Sequence, residues 1–343
     1  MNVLVTGSKG YIGTVLMQEL ERNNYKCKGI DSGYFSKCLI YKINENYEYL
    51  NKDIREINQD DLKNIDSIIH LAALSNDPLG EFQPELTEEI NYQATIDLAN
   101  LAKNVGVSRF IYVSSQSMYG VADTNSELDE DNSQKLPITA YAKTKWAAEC
   151  ELKKISNSNF GVVCFRPSTV FGLSPRLRCD IVFNSFVSCA YTTGKIEIKS
   201  DGTPWRPVIH IKDVCQALMA GLKAPLDIVN GRSYNIGLPN GNFTVKELAE
   251  AASKAVPNSD LIFTGEHGND SRTYRVSFKR IFDELGEWYK PNWSLDKGAD
   301  ELVEGFEKFN FSERDFRGIK TNRLSYLKKL TEEGRINSKL IWV

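Results

Sequence analysis

VTGSKGYIG, residues 5–13, carries three glycines, Gly7, Gly10 and Gly13, where an opening apolar run gives way to a longer amphipathic one. Each glycine answers a different demand. Gly7 permits a tight turn out of a strand, Gly10 lets main chain approach a pyrophosphate, and Gly13 lets the following helix pack closely on that strand. The helix N-terminus then offers its free N–H groups to negative charge. The context supports a dinucleotide turn: the strand NVLVT (2–6) precedes it, a helix follows, and Asp31 ends the next strand near the offset of about 20 residues expected of a ribose-binding acid. A carboxylate there repels a 2'-phosphate, and Ser32 and Gly33 supply no arginine to offset it, so NAD is expected rather than NADP.

Outward from this turn, short β-branched runs alternate with amphipathic ones. Strands are expected at NVLVT (2–6), KCKGI (26–30), SIIHLA (67–72), FIYVS (110–114) and GVVCF (161–165). Helices fill the gaps, the clearest over about 85–104, where Leu86, Ile90, Ala94, Leu98 and Leu101 share a face and Gly106 stops the run. The pattern predicts an α/β, doubly wound parallel sheet of the Rossmann type. After about Pro167 the alternation degrades, with further apolar elements near 214–222 and 233–236, so a smaller interleaved C-terminal α/β domain is expected. Residues 1–168 with about 208–235 are assigned to the dinucleotide domain, and 169–207 with 236–343 to the substrate domain. The acidic stretch ELDEDN (127–132) reads as a solvated loop.

Composition excludes several classes. Lys and Arg total 42 against 45 Asp and Glu, so no broad basic surface for nucleic acid is expected. No apolar stretch approaches the roughly 20 residues of a membrane span. Seven cysteines without a CxxC pair read as buried free thiols in a reducing compartment, and a cytoplasmic location is expected. His70, His210 and His267 are too widely spaced for a metal site. His70, ending an apolar strand, reads as a core residue with its polar atoms satisfied, and Trp205 and Trp288 as packing residues.

Chemistry enters with Tyr141 and Lys145 in AYAKTKWAAE, whose four-residue offset puts both side chains on one helix face. A phenol of pKa about 10 is a poor base at neutral pH, and a nearby ammonium favours its phenolate. A second such pair, Tyr191 and Lys195, is interrupted by Thr-Thr-Gly, which a helix does not readily span. Tyr141 is preferred because it follows the strand that ends in SSQSMYG (114–120), and loops at the carboxyl ends of parallel strands line the ligand crevice. SSQSMYG lacks the glycine flanks of a serine-hydrolase elbow.

GxxGxxG, Asp31, Asp53-Ile54, HLAA (70–73), SSQSMYG, YAKTK (141–145) and RPSTVFG (166–172) occur in an order and spacing that resembles the extended short-chain dehydrogenases/reductases acting on nucleotide sugars, over nearly the whole length. The resemblance implies that Ser115 hydrogen-bonds the reacting oxygen and Tyr141 is the acid/base. Lys145 would hold the nicotinamide ribose and lower the tyrosine's pKa. It implies an NAD site formed by Gly7, Gly10, Tyr11, Ile12, Gly13, Asp31, Asp53, Ile54, Leu71, Ala72, Ala73, Tyr141, Lys145 and Pro167. Ser75, Gln116, Ser117, Asn184, Arg206 and Arg272 would contact a nucleotide-diphosphate sugar. Arg206 lies in DGTPWRPVIHIKDV (201–214), where Pro207 replaces the usual acid, and Arg272 in DSRTYRVSFKRI (270–281); two guanidinium forks suit two phosphates. A homodimer is implied as well.

The same resemblance narrows the reaction. In 4,6-dehydratases of that kind an Asp-Glu pair follows the position of Ser115, whereas Gln116-Ser117 stands here, and neither side chain serves as a carboxylic acid. The loop also lacks the cysteine of 3,5-epimerases. A nucleotide-sugar 4-epimerase is the expectation, with a 4-keto-sugar reductase or C4 dehydrogenase as alternatives and a non-catalytic dinucleotide-binding protein as a different class.

Overall fold

The computed structural model describes residues 1–122, 124–264 and 273–343. The first half runs β1 (Asn2–Thr6), α1 (Tyr11–Arg22), β2 (Lys26–Asp31), β3 (Glu48–Asn51), β4 (Ser67–His70), α2 (Asp77–Gly80), α3 (Pro84–Glu88), α4 (Ala94–Asn104), β5 (Arg109–Val113), α5 (Ala140–Ile155) and β6 (Gly161–Pro167). It continues through β7 (Thr169–Phe171), α6 (Val182–Thr193), β8 (Lys195–Ile198), β9 (Trp205–His210), α7 (Ile211–Lys223), α8 (Leu226–Val229) and β10 (Arg232–Ile236). The remainder is β11 (Asn242–Thr244), α9 (Val245–Ala255), β12 (Asp260–Phe263), α10 (Lys279–Leu285), α11 (Leu295–Lys308), α12 (Glu313–Phe316) and α13 (Arg323–Glu332).

Seven parallel strands form one sheet in the order β10-β6-β5-β4-β1-β2-β3. Side chains alternate across it with the two-residue period of a strand. Val3 and Val5 enter a core with Leu16 and Leu20 of α1 and Leu218 of α7, while Leu4 enters a second core with Leu98 of α4 and Leu152 of α5. Burial on both faces explains why the central strands read as continuous apolar runs. β3 is not among the strands read from apolar runs, although the resemblance puts Asp53-Ile54 after a third strand: EYLN is an edge strand with half-exposed residues and lacks that signal. The strand order reverses between β1 and β4, so their carboxyl ends open a crevice, the usual ligand position in such sheets.

Two smaller sheets, β11-β9-β7 and β12-β8, are built from strands that follow β6 in the chain. The chain enters this part at β7, returns through α7 and β10, and leaves again at β11. One segment departs from the expected division: Leu327, Leu330, Ile336 and Leu340 do not join the smaller sheets but pack with Tyr34, Ile54, Leu74 and Leu79, residues of the loops above the large one.

Other differences are local. The expected helix over 85–104 is broken by a π-turn at Glu89–Gln93, a wider turn that is frequent at functional sites. It turns Asn91 inward, where its amide accepts from Leu74 N at 2.8 Å and donates to Leu74 O at 3.2 Å, fixing the loop after β4. ELDEDN is not wholly solvated, because Glu130 is buried and accepts from Asn235 N at 2.8 Å. His70 is a core residue, bonded to Thr6 Oγ1 at 2.7 Å and Thr95 Oγ1 at 2.9 Å, and burial pulls its pKa down to about 3. Gly194 ends α6 between Tyr191 and Lys195 in a left-handed conformation, so that pair shares no helix face.

Glu149 on α5 and Arg166 on β6 form a fully buried ion pair, with Nη2 to Oε1 at 2.5 Å and Nε within 3.1 Å of both oxygens. Arg166 also donates to Tyr119 OH at 2.9 Å and Glu130 O at 3.1 Å, and Ser233 donates to Glu149 at 2.6 Å. Arg166→Met strands a buried carboxylate and is expected to cost about 3–5 kcal/mol, whereas the double substitution with Glu149→Leu costs much less. Urea unfolding midpoints of the two variants check this.

Candidate active site

The crevice between the ends of β1 and β4 is built by close approach. Gly7 has φ of 72°, and a Cβ on it would stand 2.8 Å from Ala72 N. A Cβ on Gly13 would lie 2.1 Å from Gly7 O, so the first turn of α1 seats against the glycine turn only without a side chain there. Gly10 is the N-cap of α1 and has no capping side chain, which leaves the helix N-terminus open to the cleft. Tyr11 points its hydroxyl away, donating to Gly172 O at 2.8 Å, and thereby joins α1 to the strand end at β7.

Asp31 ends β2 with Oδ2 accepting from Lys9 N at 3.0 Å and Oδ1 from Gly33 N at 2.7 Å. Burial raises its pKa, opposed by those two amides and by the charges of Arg176 and Lys9. Each oxygen retains a lone pair for a ribose hydroxyl. Asp53 is held flat by Arg55, whose Nε and Nη2 each reach it at 2.9 Å. With Ile12, Ile54, Leu71, Ala72, Ala73 and Pro167, these residues line one continuous cleft that also takes in Ser75, Ser115, Gln116, Ser117, Tyr141, Lys145 and Arg206. The chain thus brings nearly all its sequence-expected site residues to one place, and the open helix end, the acid at the end of β2 and the glycine cradle fit a dinucleotide.

At the catalytic end, Thr139 caps α5 and starts the helix so that Tyr141 and Lys145 project together. Lys145 Nζ donates to Val113 O at 2.8 Å at the end of β5. Ser115 and Ser117 share a hydroxyl hydrogen bond of 2.8 Å, and the Ser115 hydroxyl also bonds the Tyr141 phenol. Burial pushes Tyr141 up to about 12 and Lys145 down to about 7. Ser115 and Arg178 pull Tyr141 down, while Asp77 and Tyr274 push it up.

Asn184 is a correction. It is fully buried, accepting from Gly172 N at 3.0 Å and donating to Tyr11 OH at 3.1 Å and Arg178 O at 2.9 Å, so no group remains for a substrate. Gln116 borders the cleft, but its amide donates to Arg166 O at 3.0 Å and Ile236 O at 3.3 Å, which makes it a brace between β6 and β10. Arg272 lies outside the described residues.

Sequence reasoning missed Arg178, Asp180 and Arg323, which also line the cleft. Arg178 forks onto Asp180 at 2.8 and 3.0 Å and reaches Ser75 Oγ at 3.2 Å. The adjacency of Arg178 and Asp180 in LSPRLRCD was the available signal; Arg323 comes from α13 and had none. Asn76 also borders the cleft, with φ of 140°, a conformation costly for a side-chain-bearing residue and tolerated mostly at functional sites. Its amide bridges Leu79 N at 3.0 Å and Asp180 Oδ2 at 3.3 Å.

Tyr141→Phe is expected to lower turnover about 10²–10⁴-fold without releasing bound nucleotide. Asp77→Asn removes a negative charge beside the phenol, so the acid limb of kcat/KM moves to lower pH. Lys145, lowered in the folded chain from an ordinary value of 10.5, destabilises the fold fully below about pH 7, and this penalty disappears as pH rises through 10.5. Lys145→Met therefore raises the melting temperature of the nucleotide-free protein at pH 6, with a gain that shrinks by pH 10. Thermal unfolding across that range measures it.

The comparisons with known proteins agree with this geometry. The family model described as NAD dependent epimerase/dehydratase family matches residues 3–237. The chain is 27% identical over 340 residues to the dTDP-D-glucose 4,6-dehydratase of Mus musculus, covering 89% of this chain and 93% of that protein. It is 25% identical to UDP-glucuronic acid decarboxylase 2 of Arabidopsis thaliana, over 92% of this chain and 70% of the other. Among solved structures, MoeE5 in complex with UDP-glucose and NAD superposes with a TM-score of 0.75 at 26% identity, over 90% of this chain and 99% of that one. The UDP-glucose 4-epimerase of Thermotoga maritima shares the fold with a TM-score of 0.78 at 22% identity, over 90% and 99%. With the glycine turn, the acid at the end of β2 and Ser115, Tyr141 and Lys145 in one cleft, the chain belongs to the NAD-dependent epimerase/dehydratase family.

Proposed function

We propose that the protein is a nucleotide-sugar 4-epimerase. The observation that carries this reading is the loop after β5. Its hydroxyls, Ser115 and Ser117, are paired with each other, and the Gln116 amide is turned away into the frame, so the loop presents no carboxylate. The carboxylates near it come from other loops: Asp77 accepts from Thr139 Oγ1, and Asp180 is held below the usual carboxylate range by Arg178. Elimination of water needs an acid and a base beyond the tyrosine, which sets this loop apart from a dehydratase's despite the dehydratases among its relatives.

NAD, when bound, supplies the acceptor and then the donor of the hydride at C4. Tyr141 takes the proton from the C4 hydroxyl and gives it back to the same oxygen after the 4-keto sugar has turned over in the cleft. Ser115 donates a hydrogen bond to that oxygen as charge develops on it. Lys145, tied to Val113 O, lies beside the tyrosine and donates to whatever oxygen approaches from the nicotinamide side. Arg206, which lines the same cleft, is the residue we assign to the diphosphate. That MoeE5 binds UDP-glucose supports a nucleotide sugar as substrate class.

Incubation of the protein and NAD with UDP-, dTDP- and GDP-sugars deuterated at C4, followed by NMR, tests the reading. A C4 epimer that keeps its deuterium is expected. Stoichiometric NADH with a keto product indicates a C4 dehydrogenase or, in reverse, a reductase, and a 4-keto-6-deoxy product indicates a dehydratase; either overturns the proposal.

A further inference from the structure

We infer that the hairpin formed by residues 336–342 is a clasp on the cofactor loops, one that keeps NAD from leaving between the two hydride steps. Three residues of the loops expected to hold adenosine are bonded to it. Trp342 Nε1 donates to Ser32 O at 2.6 Å, Tyr34 donates its hydroxyl to Leu340 O, and Arg55 Nη2 donates to Lys339 O at 2.9 Å. Ser32 and Tyr34 follow the ribose-facing Asp31, and Arg55 is the residue that orients Asp53. Each of these hydrogen bonds therefore acts one residue, or one side chain, away from the cofactor.

The hairpin is rigid enough for this purpose. Asn337 Oδ1 accepts from Lys339 N at 2.9 Å and Ile341 N at 3.0 Å, and Ile336 pairs antiparallel with Trp342. Leu340 is held at φ of 56°, left-handed, which puts its side chain fully inside a cluster with Tyr34, Ile54 and Leu327. That cluster is the core of the cofactor loops themselves. The loops after β2 and β4 are thus packed from above by α13 and the hairpin, and opening the adenosine end of the cleft requires breaking this packing together with the three hydrogen bonds. From the same segment, Arg323 stacks over Phe35 at 4.9 Å and donates to Arg176 O at 2.6 Å, so the clasp extends along the cleft wall.

An enzyme that returns the hydride to its own substrate gains from a slowly leaving cofactor, so the inference deepens the epimerase reading, although its test needs no sugar. The NAD-loaded protein is diluted into an NAD-scavenging buffer and the NAD remaining on it is followed with time. Trp342→Phe, which removes one N–H donor while keeping an aromatic ring, is expected to speed release about fivefold, the equivalent of roughly 1 kcal/mol. A chain ending at Arg335 is expected to lose NAD much faster, and Lys339→Ala, whose contribution is its main-chain carbonyl, to behave as the parent does. Saturating NAD should restore turnover to both altered chains. Unchanged release in Trp342→Phe overturns the inference, as does release that changes only in step with lowered thermal stability; should the shortened chain fail to fold, Trp342→Phe decides alone. Fast NAD loss without any C4 epimer would sustain the clasp and defeat the epimerase reading.

Discussion

The buried pair of Glu149 and Arg166 organises the catalytic end. One carboxylate and one guanidinium, both out of water, join α5 to β6, and the remaining hydrogen-bonding capacity of the pair reaches Tyr119 in the loop after β5, Glu130 in the acidic loop and Ser233 on β10. Such a pair needs a partner for each charge and near-complete satisfaction of the rest. Here that demand fixes the rotation of α5 about its axis, and with it the direction in which Tyr141 and Lys145 project. The main-chain carbonyl of Arg166 in turn anchors Gln116, two positions before Met118 and one after Ser115. Helix, strand and serine loop are therefore registered to one another by a single buried ion pair.

The catalytic pair itself sits in an environment that opposes charge on both members. Burial raises Tyr141 and lowers Lys145, so near neutral pH the phenol is protonated and the amine is close to its titration point. The groups that favour a phenolate are Ser115 and Arg178, and Arg178 is tied to Asp180 and Ser75 by nearly every donor it has. Arg178 thus links the phenol to a cleft wall built by the loop before α6 and the turn at Asn76.

What could be read from sequence was what short-range spacing encodes. The glycine turn with β1, α1 and Asp31, and the helical register of Tyr141 and Lys145, follow from backbone geometry over a few residues, and they stand as expected. β3 is missing from the apolar runs because an edge strand packs too little to need one. Asn184 was placed with the substrate because nothing local shows that Tyr11, Arg178 and Gly172 take up its amide. Glu130 looked solvated because its partner, the amide of Asn235, is remote in sequence, and Arg323 carried no signal for the same reason. The destination of a polar side chain is a long-range property, and a π-turn such as Glu89–Gln93 is invisible to a periodicity that it shifts by one residue.

The path of the chain has a further consequence. It leaves the large sheet at β7, comes back with α7 and β10, departs at β11 and ends against the cofactor loops through α13. Neither half corresponds to a continuous stretch of polypeptide, and several strands of covalent chain bridge the cleft. The two parts are therefore joined by several crossings of the chain rather than by a single linker. A cut at any one of these crossings would separate segments that pack into the same large core, in which residues of β1, α6, α7, α9 and α11 meet.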